Sequence, residues 1–208
     1  SRFFAIIESD HAVSAVVRVV SPFDGATAFV DELPAGMEAV CLAPVRFASD
    51  PDHEYVAVGC AQELRLRPPR RGCDAASVRL YRWTDGGCSL ELVHVTPMEG
   101  EAEGVVVQAV MAFDGLLLVA AGCDLSLYDL GKRRMLRKAQ TLGVAPHAIA
   151  ALRAHPTRPS ELLFVADVRE SVLLVSFTAA LRAFHVVVDD RVPRHITALC
   201  ALDDGFTV

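Results

Sequence analysis

The chain has 208 residues, 52% apolar and 22% charged, with 20 basic against 26 acidic side chains and a formal net charge of −6. Such a composition supplies a core and excludes a disordered chain, and its acidic balance does not favour a general nucleic-acid binder. The longest apolar run, around Leu116 to Ala121 between Gly115 and Gly122, is far short of the roughly 20 residues of a membrane-spanning helix.

Short runs rich in Val, Leu, Ile, Phe and Tyr recur along the whole chain, separated by turn residues, which is the pattern of β-strands. Strands are predicted over 13–20, 26–32, 38–47, 54–61, 76–84, 89–96, 105–113, 116–121, 123–130, 134–141, 147–154, 161–167, 171–177, 182–189 and 195–202. The best helix candidate, Ala35 to Cys41, is short and runs into an apolar stretch ending at Pro44. Asp-Gly occurs between apolar runs at Asp24-Gly25, Asp85-Gly86, Asp114-Gly115 and Asp204-Gly205. Tight hairpins need positive φ, which Gly supplies and Asp tolerates, so neighbouring strands are expected to be antiparallel.

The strands also repeat as a group. The run from Val78 to Trp83 aligns with Leu125 to Leu130 and with Val172 to Phe177. Taking Tyr81, Tyr128 and Phe177 as the matched aromatics gives spacings of 47 and 49 residues, and an earlier copy ends at Val16 to Val20. A period in the high forties with four strands per unit is the signature of β-propeller blades. The expected fold is therefore all-β, an incomplete propeller arc of about three complete four-stranded blades plus parts of two more. Those parts are a partial blade in 1–32, blades at 38–96, 105–141 and 147–189, and the start of another at 195–208. An arc leaves two blade faces bare, so the chain is expected to be part of a longer polypeptide or to be completed by another segment.

Four strings carry a resemblance: LYDLGKRRMLRK from Leu127 to Lys138, YVAVGCAQELRLRPPRR before it, and VADVRESVLLVSF and VVVDDRVPRHITAL after it. In this order and spacing the chain resembles, from about Val16 to Val208, the large propeller scaffold subunits of splicing factor 3b. That family is shared with the large subunits of the damaged-DNA-binding complex and of the cleavage and polyadenylation specificity factor. The resemblance implies part of the third propeller of a three-propeller, non-enzymatic nuclear scaffold acting in pre-mRNA splicing. Its partners would be a large helical-repeat subunit and small subunits of splicing factor 3b, within the ribonucleoprotein that recognises the intron branch point. RNA contact would be mainly indirect, with no membrane and no small-molecule substrate. An adaptor of the damaged-DNA-binding type, linking substrates to a ubiquitin ligase, and a direct RNA-binding module are the alternatives. The chain departs from the family in passing directly from His11 to the next strand and in placing His195 where an aromatic residue is usual.

Two basic segments are candidate partner-binding sites. Lys132, Arg133, Arg134, Arg137 and Lys138 place five charges in seven residues. They are either a patch for an acidic partner or RNA phosphate, or charges that keep an outer edge strand from aggregating, with Met135 and Leu136 facing inward. Arg65, Arg67, Arg70 and Arg71 flank Pro68-Pro69 in a stiff loop suited to a partner or to solvent. Glu99, Glu101 and Glu103 read as a solvated connector, and Asp167 to Ser171 as a structural turn whose Asp167 and Ser171 accept turn amides. Six cysteines show no C-x-x-C and sit mostly in apolar runs, which fits free thiols in a reducing compartment. No zinc-site spacing, Walker-type loop, dinucleotide fingerprint or nucleophile elbow occurs, so no catalytic residue, cofactor or metal is expected.

Overall fold

The computed structural model describes residues 3–9, 15–65, 72–98, 104–190, 192–202 and 205–207. Among them the regular structure is strand, with a single 3-10 turn at Asp85–Gly87 and no α-helix. A first sheet joins β1 (Phe4–Ser9), β2 (Ala15–Val20) and β3 (Thr27–Glu32) in that order. A second joins β4 (Met37–Phe47), β5 (Asp50–Gln62), β6 (Ala75–Thr84) and β7 (Ser89–Pro97). A third joins β8 (Val107–Phe113), β9 (Leu116–Ala121), β10 (Asp124–Asp129) and β11 (Leu136–Thr141). A fourth joins β12 (Ile149–Ala154), β13 (Leu162–Asp167), β14 (Ser171–Thr178) and β15 (Ala183–Asp189), and β16 (Cys200–Leu202) pairs with β17 (Gly205–Thr207). Neighbouring strands are antiparallel throughout.

The sheets stand side by side around an axis. First strands pack on one another, β1 on β4, β4 on β8 and β8 on β12, while the outermost strands β3 and β7, and β11 and β15, meet only sparsely. This is an incomplete β-propeller arc, with three complete blades and parts of two more. Segments of β4, β8 and β12, including Leu42–Pro44, Val110–Ala112 and Leu152–Ala154, line an axial groove of about 580 Å³.

Strand alternation explains the stacking. Along β5, every residue from Tyr55 to Ala61 is buried, so both faces of the sheet are covered. Val56, Val58 and Cys60 enter one core with Ala15, Val17 and Val19 of the first sheet. Tyr55, Ala57 and Ala61 enter another with Val107, Leu117 and Val119 of the third. In β9 the same alternation sends Leu117 and Val119 back to that core and Leu118 and Ala120 forward to Leu163 and Val165 of the fourth sheet. With a side-chain period of two, one strand feeds two separate cores. Phe113, Phe177 and Phe184 close the last of these, with ring centroids 4.9 to 6.0 Å apart.

The repeat is written in bulges as well as strands. Each pairing of a third strand with a fourth shifts register once, at Leu80/Tyr81, Leu127/Tyr128 and Leu174/Val175. The residue equivalent to Tyr81 and Tyr128 is therefore Val175, not Phe177, and both intervals are 47 residues (175 less 128, and 128 less 81). First strands shift register as well, at Ala39/Cys41, Val107/Ala109 and Ile149/Ala151. Bulges increase local right-handed twist, which lets flat sheets fan.

The strand predicted over 38–47 is observed as β4, and the weak helix candidate Ala35 to Cys41 is not realised: Ala35 and Gly36 form a turn, and β4 runs on through Pro44 to Phe47. Proline is tolerated there because β4 is the edge strand of its sheet and leaves one row of N–H groups unpaired. The first sheet has three strands, β1 being the addition. The predicted strand over 195–202 begins only at Cys200. Before it, Arg194 is tied to Asp190 and Ser171, and His195 Nδ1 contacts the Val168 carbonyl at 3.0 Å. Of the Asp-Gly pairs, Asp114-Gly115 forms the two-residue hairpin, with φ of 49° and 69° between paired Phe113 and Leu116. Asp24-Gly25 and Asp85-Gly86 lie in longer connections, and Asp204 lies outside the described residues.

Gly59 marks a close approach between two sheets. A Cβ there would lie 2.6 Å from Cys41 Sγ and 2.7 Å from Val107 Cγ1. Gly59→Ala is therefore expected to cost about 1–3 kcal/mol through overpacking. Urea unfolding of the two proteins checks this; an unchanged midpoint would show that the two sheets part without penalty.

Candidate partner-binding site

Antiparallel four-stranded sheets deliver their first-to-second and third-to-fourth connections to one end, and the second-to-third connection to the other. At one end the Ala48 amide donates to the Gly115 carbonyl at 2.8 Å, and Ser49 Oγ donates to Asp129 Oδ1 at 2.7 Å. At the other, Cys73 Sγ donates to the Val105 carbonyl at 3.2 Å, and the Ile149 amide to Gly122 at 2.8 Å. The segment Lys132, Arg133, Arg134, Arg137 and Lys138 lies in and after the β10–β11 hairpin, at the first end. Arg65, the first charge of the other segment, lies in the β5–β6 connection, at the opposite end. The fold thus separates Arg65 from the first segment.

Of the second segment, Arg67, Arg70 and Arg71 lie outside the described residues, as do Glu99, Glu101 and Glu103. Arg65 exchanges backbone hydrogen bonds with Gly72 at 2.7 and 3.0 Å and pairs its guanidinium with Asp74 at 2.5 Å.

The β10–β11 hairpin is fixed at its base. His94 Nε2 meets the Gly131 carbonyl at 2.6 Å, and Thr96 Oγ1 accepts the Met135 amide at 3.1 Å, both reaching across from β7. Met135 is buried in the core between the second and third sheets, as expected. Leu136 is 48% exposed, contrary to the expectation that it faces inward. Met135 is turned in just ahead of the strand, so alternation directs the next side chain outward. Asp129 accepts the Leu130 amide at 2.8 Å and pairs with Lys138 at 3.4 Å. Lys132, Arg133, Arg134 and Arg137 are exposed. A cleft of about 130 Å³ opens beside them between Thr96, Pro97, Tyr128 and Arg134–Arg137.

Two polar clusters tie neighbouring blades and connections together. Arg79 Nε donates to the Tyr81 hydroxyl at 2.9 Å, which donates to Asp31 Oδ2 at 2.7 Å, linking the second sheet to the first. Burial, and then the hydrogen bond to Asp31, push the Tyr81 phenol well above its ordinary value. The sequence reading missed this cluster, since a Tyr in an apolar run reads as core. In the β13–β14 turn, fully buried Asp167 accepts the amides of His147, Arg169 and Glu170 at 2.8 to 2.9 Å. Burial alone would raise its carboxyl pKa, but the three amides and His147 hold it below the ordinary value. Asp167 thus accepts turn amides as expected, whereas Ser171 Oγ instead donates to Asp190 at 3.1 Å.

No disulfide joins the six cysteines, and burial pushes the Cys41 and Cys60 thiols up to about 12, so both pack as small apolar groups. No group of three or more metal-capable side chains occurs among the described residues.

The family model described as "CPSF A subunit region" matches residues 14–208. The chain belongs to that family. Among curated members, it is 33% identical over 190 residues to "Splicing factor 3B subunit 3" of Danio rerio, a match covering 91% of this chain and 15% of the relative. It is 32% identical over 191 residues to "Pre-mRNA-splicing factor rse1" of Emericella nidulans, covering 91% and 15%. It is also 32% identical over 191 residues to "Spliceosome-associated protein 130 A" of Arabidopsis thaliana, covering 92% and 15%. The chain thus spans about 15% of the length of these CPSF A family relatives. The splicing names of the relatives match the family resemblance read from the four strings.

Two substitutions test the polar clusters. Tyr81→Phe strands the Arg79 donor and should cost about 1–3 kcal/mol at neutral pH. Circular dichroism melts of the two proteins read that loss. Asp167→Asn should destabilise by a similar amount at pH 7. The folded-state pKa of Asp167 lies below its unfolded value, so its contribution is complete above about pH 4. It fades as pH falls through the folded pKa, and the stability gap between wild type and Asp167→Asn should close over that window. Denaturant titrations at a series of pH values would show the closure; a gap independent of pH would refute the charge-based account.

Proposed function

We propose that this chain acts in pre-mRNA splicing as part of the third propeller of a three-propeller, non-enzymatic scaffold subunit of splicing factor 3b. On this reading it works in the nucleus, in the ribonucleoprotein that recognises the branch point. Its partners are the large helical-repeat subunit and small subunits of the complex, and its contact with RNA is mainly indirect. The observation that carries the reading is the match over 91% of the chain to proteins named for splicing factor 3B subunit 3. The fold supports it physically. A stack of sheets with doubly buried strands is rigid, and its hairpins project at two ends where several partners can bind at once.

The bare ends of the arc support a larger ring. Val186, Val187 and Val188 of β15 and Phe4 and Val30 of the first sheet are exposed apolar side chains. Further blades of the same propeller would cover them. Both basic segments, Arg65, Arg67, Arg70 and Arg71, and Lys132 to Lys138, are proposed contact points for protein subunits.

Affinity purification of the full-length protein, followed by mass spectrometry, tests the assignment. The expected co-purifying proteins are a helical-repeat subunit and small subunits of a splicing complex. Recovery of a cullin-based ligase in their place would overturn it in favour of the adaptor class.

A further inference from the structure

We infer that the β10–β11 hairpin is a docking site for an acidic peptide segment of a protein partner. Carboxylates of the segment would lie on Lys132, Arg133, Arg134 and Arg137, with an apolar side chain against Leu136. The inference rests on the scaffold reading for its biological setting but stands on its own geometry.

Charge is the first argument. Arg18, Arg46, Arg65, Arg79, Arg82, Lys138, Arg158 and Arg194 each have a carboxylate partner. Lys132, Arg133, Arg134 and Arg137 have none among the described residues, although the chain as a whole carries a net charge of −6. Four uncompensated cations within six residues repel one another, and an anionic partner removes that repulsion.

The second argument is rigidity. The hairpin backbone is held at Gly131 by His94 and at Met135 by Thr96, and the Met135 side chain is plugged into the core. A Cβ on Gly131 would overlap the Arg134 carbonyl, so the turn is wound tightly on itself. Backbone that is already ordered costs little further entropy on binding, which distinguishes a docking element from a solvated loop.

The third argument is shape. Arg134 and Arg137 flank the 130 Å³ cleft, with exposed Leu136 between them. Two guanidinium forks beside a small recess suit Glu or Asp side chains, which they grip through paired hydrogen bonds. Single-stranded RNA instead demands aromatic faces for its bases. Tyr128 beside the cleft is buried, and among the described residues the exposed phenylalanines, Phe4 and Phe23, belong to the first sheet and the connection after β2. The recess therefore favours carboxylates over nucleotides.

Fluorescence anisotropy with the full-length protein and a labelled peptide of alternating Glu and Leu residues tests this. Arg134→Glu combined with Arg137→Glu should weaken binding at least about tenfold and flatten its salt dependence. The milder Arg133→Gln with Arg134→Gln should give a smaller loss. Arg153→Glu with Arg182→Glu, on β12 and in the β14–β15 connection, should leave affinity unchanged, and thermal melts of all variants should coincide. Wild-type affinity in the charge-reversed variant would overturn the proposal. So would tighter binding of a 20-residue oligouridylate than of the peptide, if the same substitutions abolished it. Loss of splicing subunits from the purification with peptide binding intact would refute the scaffold reading alone.

Discussion

A sheet that is apolar on both faces can be hidden only between two others, and this constraint organises the whole molecule. Val56 and Ala57 are adjacent in sequence, yet they belong to different cores because alternate side chains leave opposite faces of β5. Leu117 and Leu118 repeat the division in β9. A two-layer sandwich would leave one face of each sheet polar; the burial along these strands does not allow it. Stacking must therefore continue from sheet to sheet. Twist, reinforced in each complete blade by a bulge in the first strand and in the third-to-fourth pairing, turns the stack into an arc.

Fanning sets a gradient from axis to rim. First strands press together, so their contacts are apolar and Gly59 is needed where β5 meets the β8 side. Outer strands diverge, and there the links between blades become polar. Tyr81 reaches Asp31, Thr96 accepts the Met135 amide, and Thr141 accepts the Phe184 amide at 3.0 Å. A hydrogen bond across a widening gap has direction as well as strength, so these contacts fix the angle between blades better than apolar packing can. Rigidity at the rim is what lets the hairpins serve as fixed presentation points.

Strands were legible in the sequence because β-branched and aromatic runs broken by turn residues have one simple reading. The repeat was legible for the same reason, but its phase was not. Aromatic character aligns Phe177 with Tyr128, whereas register places Val175 there; the position requires a buried side chain beside a bulge, not a ring. Ala35 to Cys41 offered no alternation to decide its state, and pairing with β5 decided it. Tyr81 could not be read as a polar link, since Asp31 lies 50 residues away and nothing local joins them. Side-chain direction at Leu136 depended on where β11 begins, and strand boundaries are the least certain feature of a periodic pattern.

The two readings of the basic string divide along the same boundary. Protection of an edge strand needs charge on the strand itself, where the unpaired ladder is exposed. Arg137 and Lys138 lie on β11, the outermost strand of its sheet, and Lys138 is neutralised by Asp129 across the pair. Lys132, Arg133 and Arg134 precede the strand and guard no ladder. The backbone on either side of them, at Gly131 and Met135, is nevertheless held by His94 and Thr96 of the neighbouring blade. A loop needed only for solubility gains nothing from such anchoring, whereas a loop that must present charge in fixed positions does. The string therefore combines two devices, a display of cations that begins before Met135 and a guarded edge after it, with Arg137 serving both because it borders the cleft from β11.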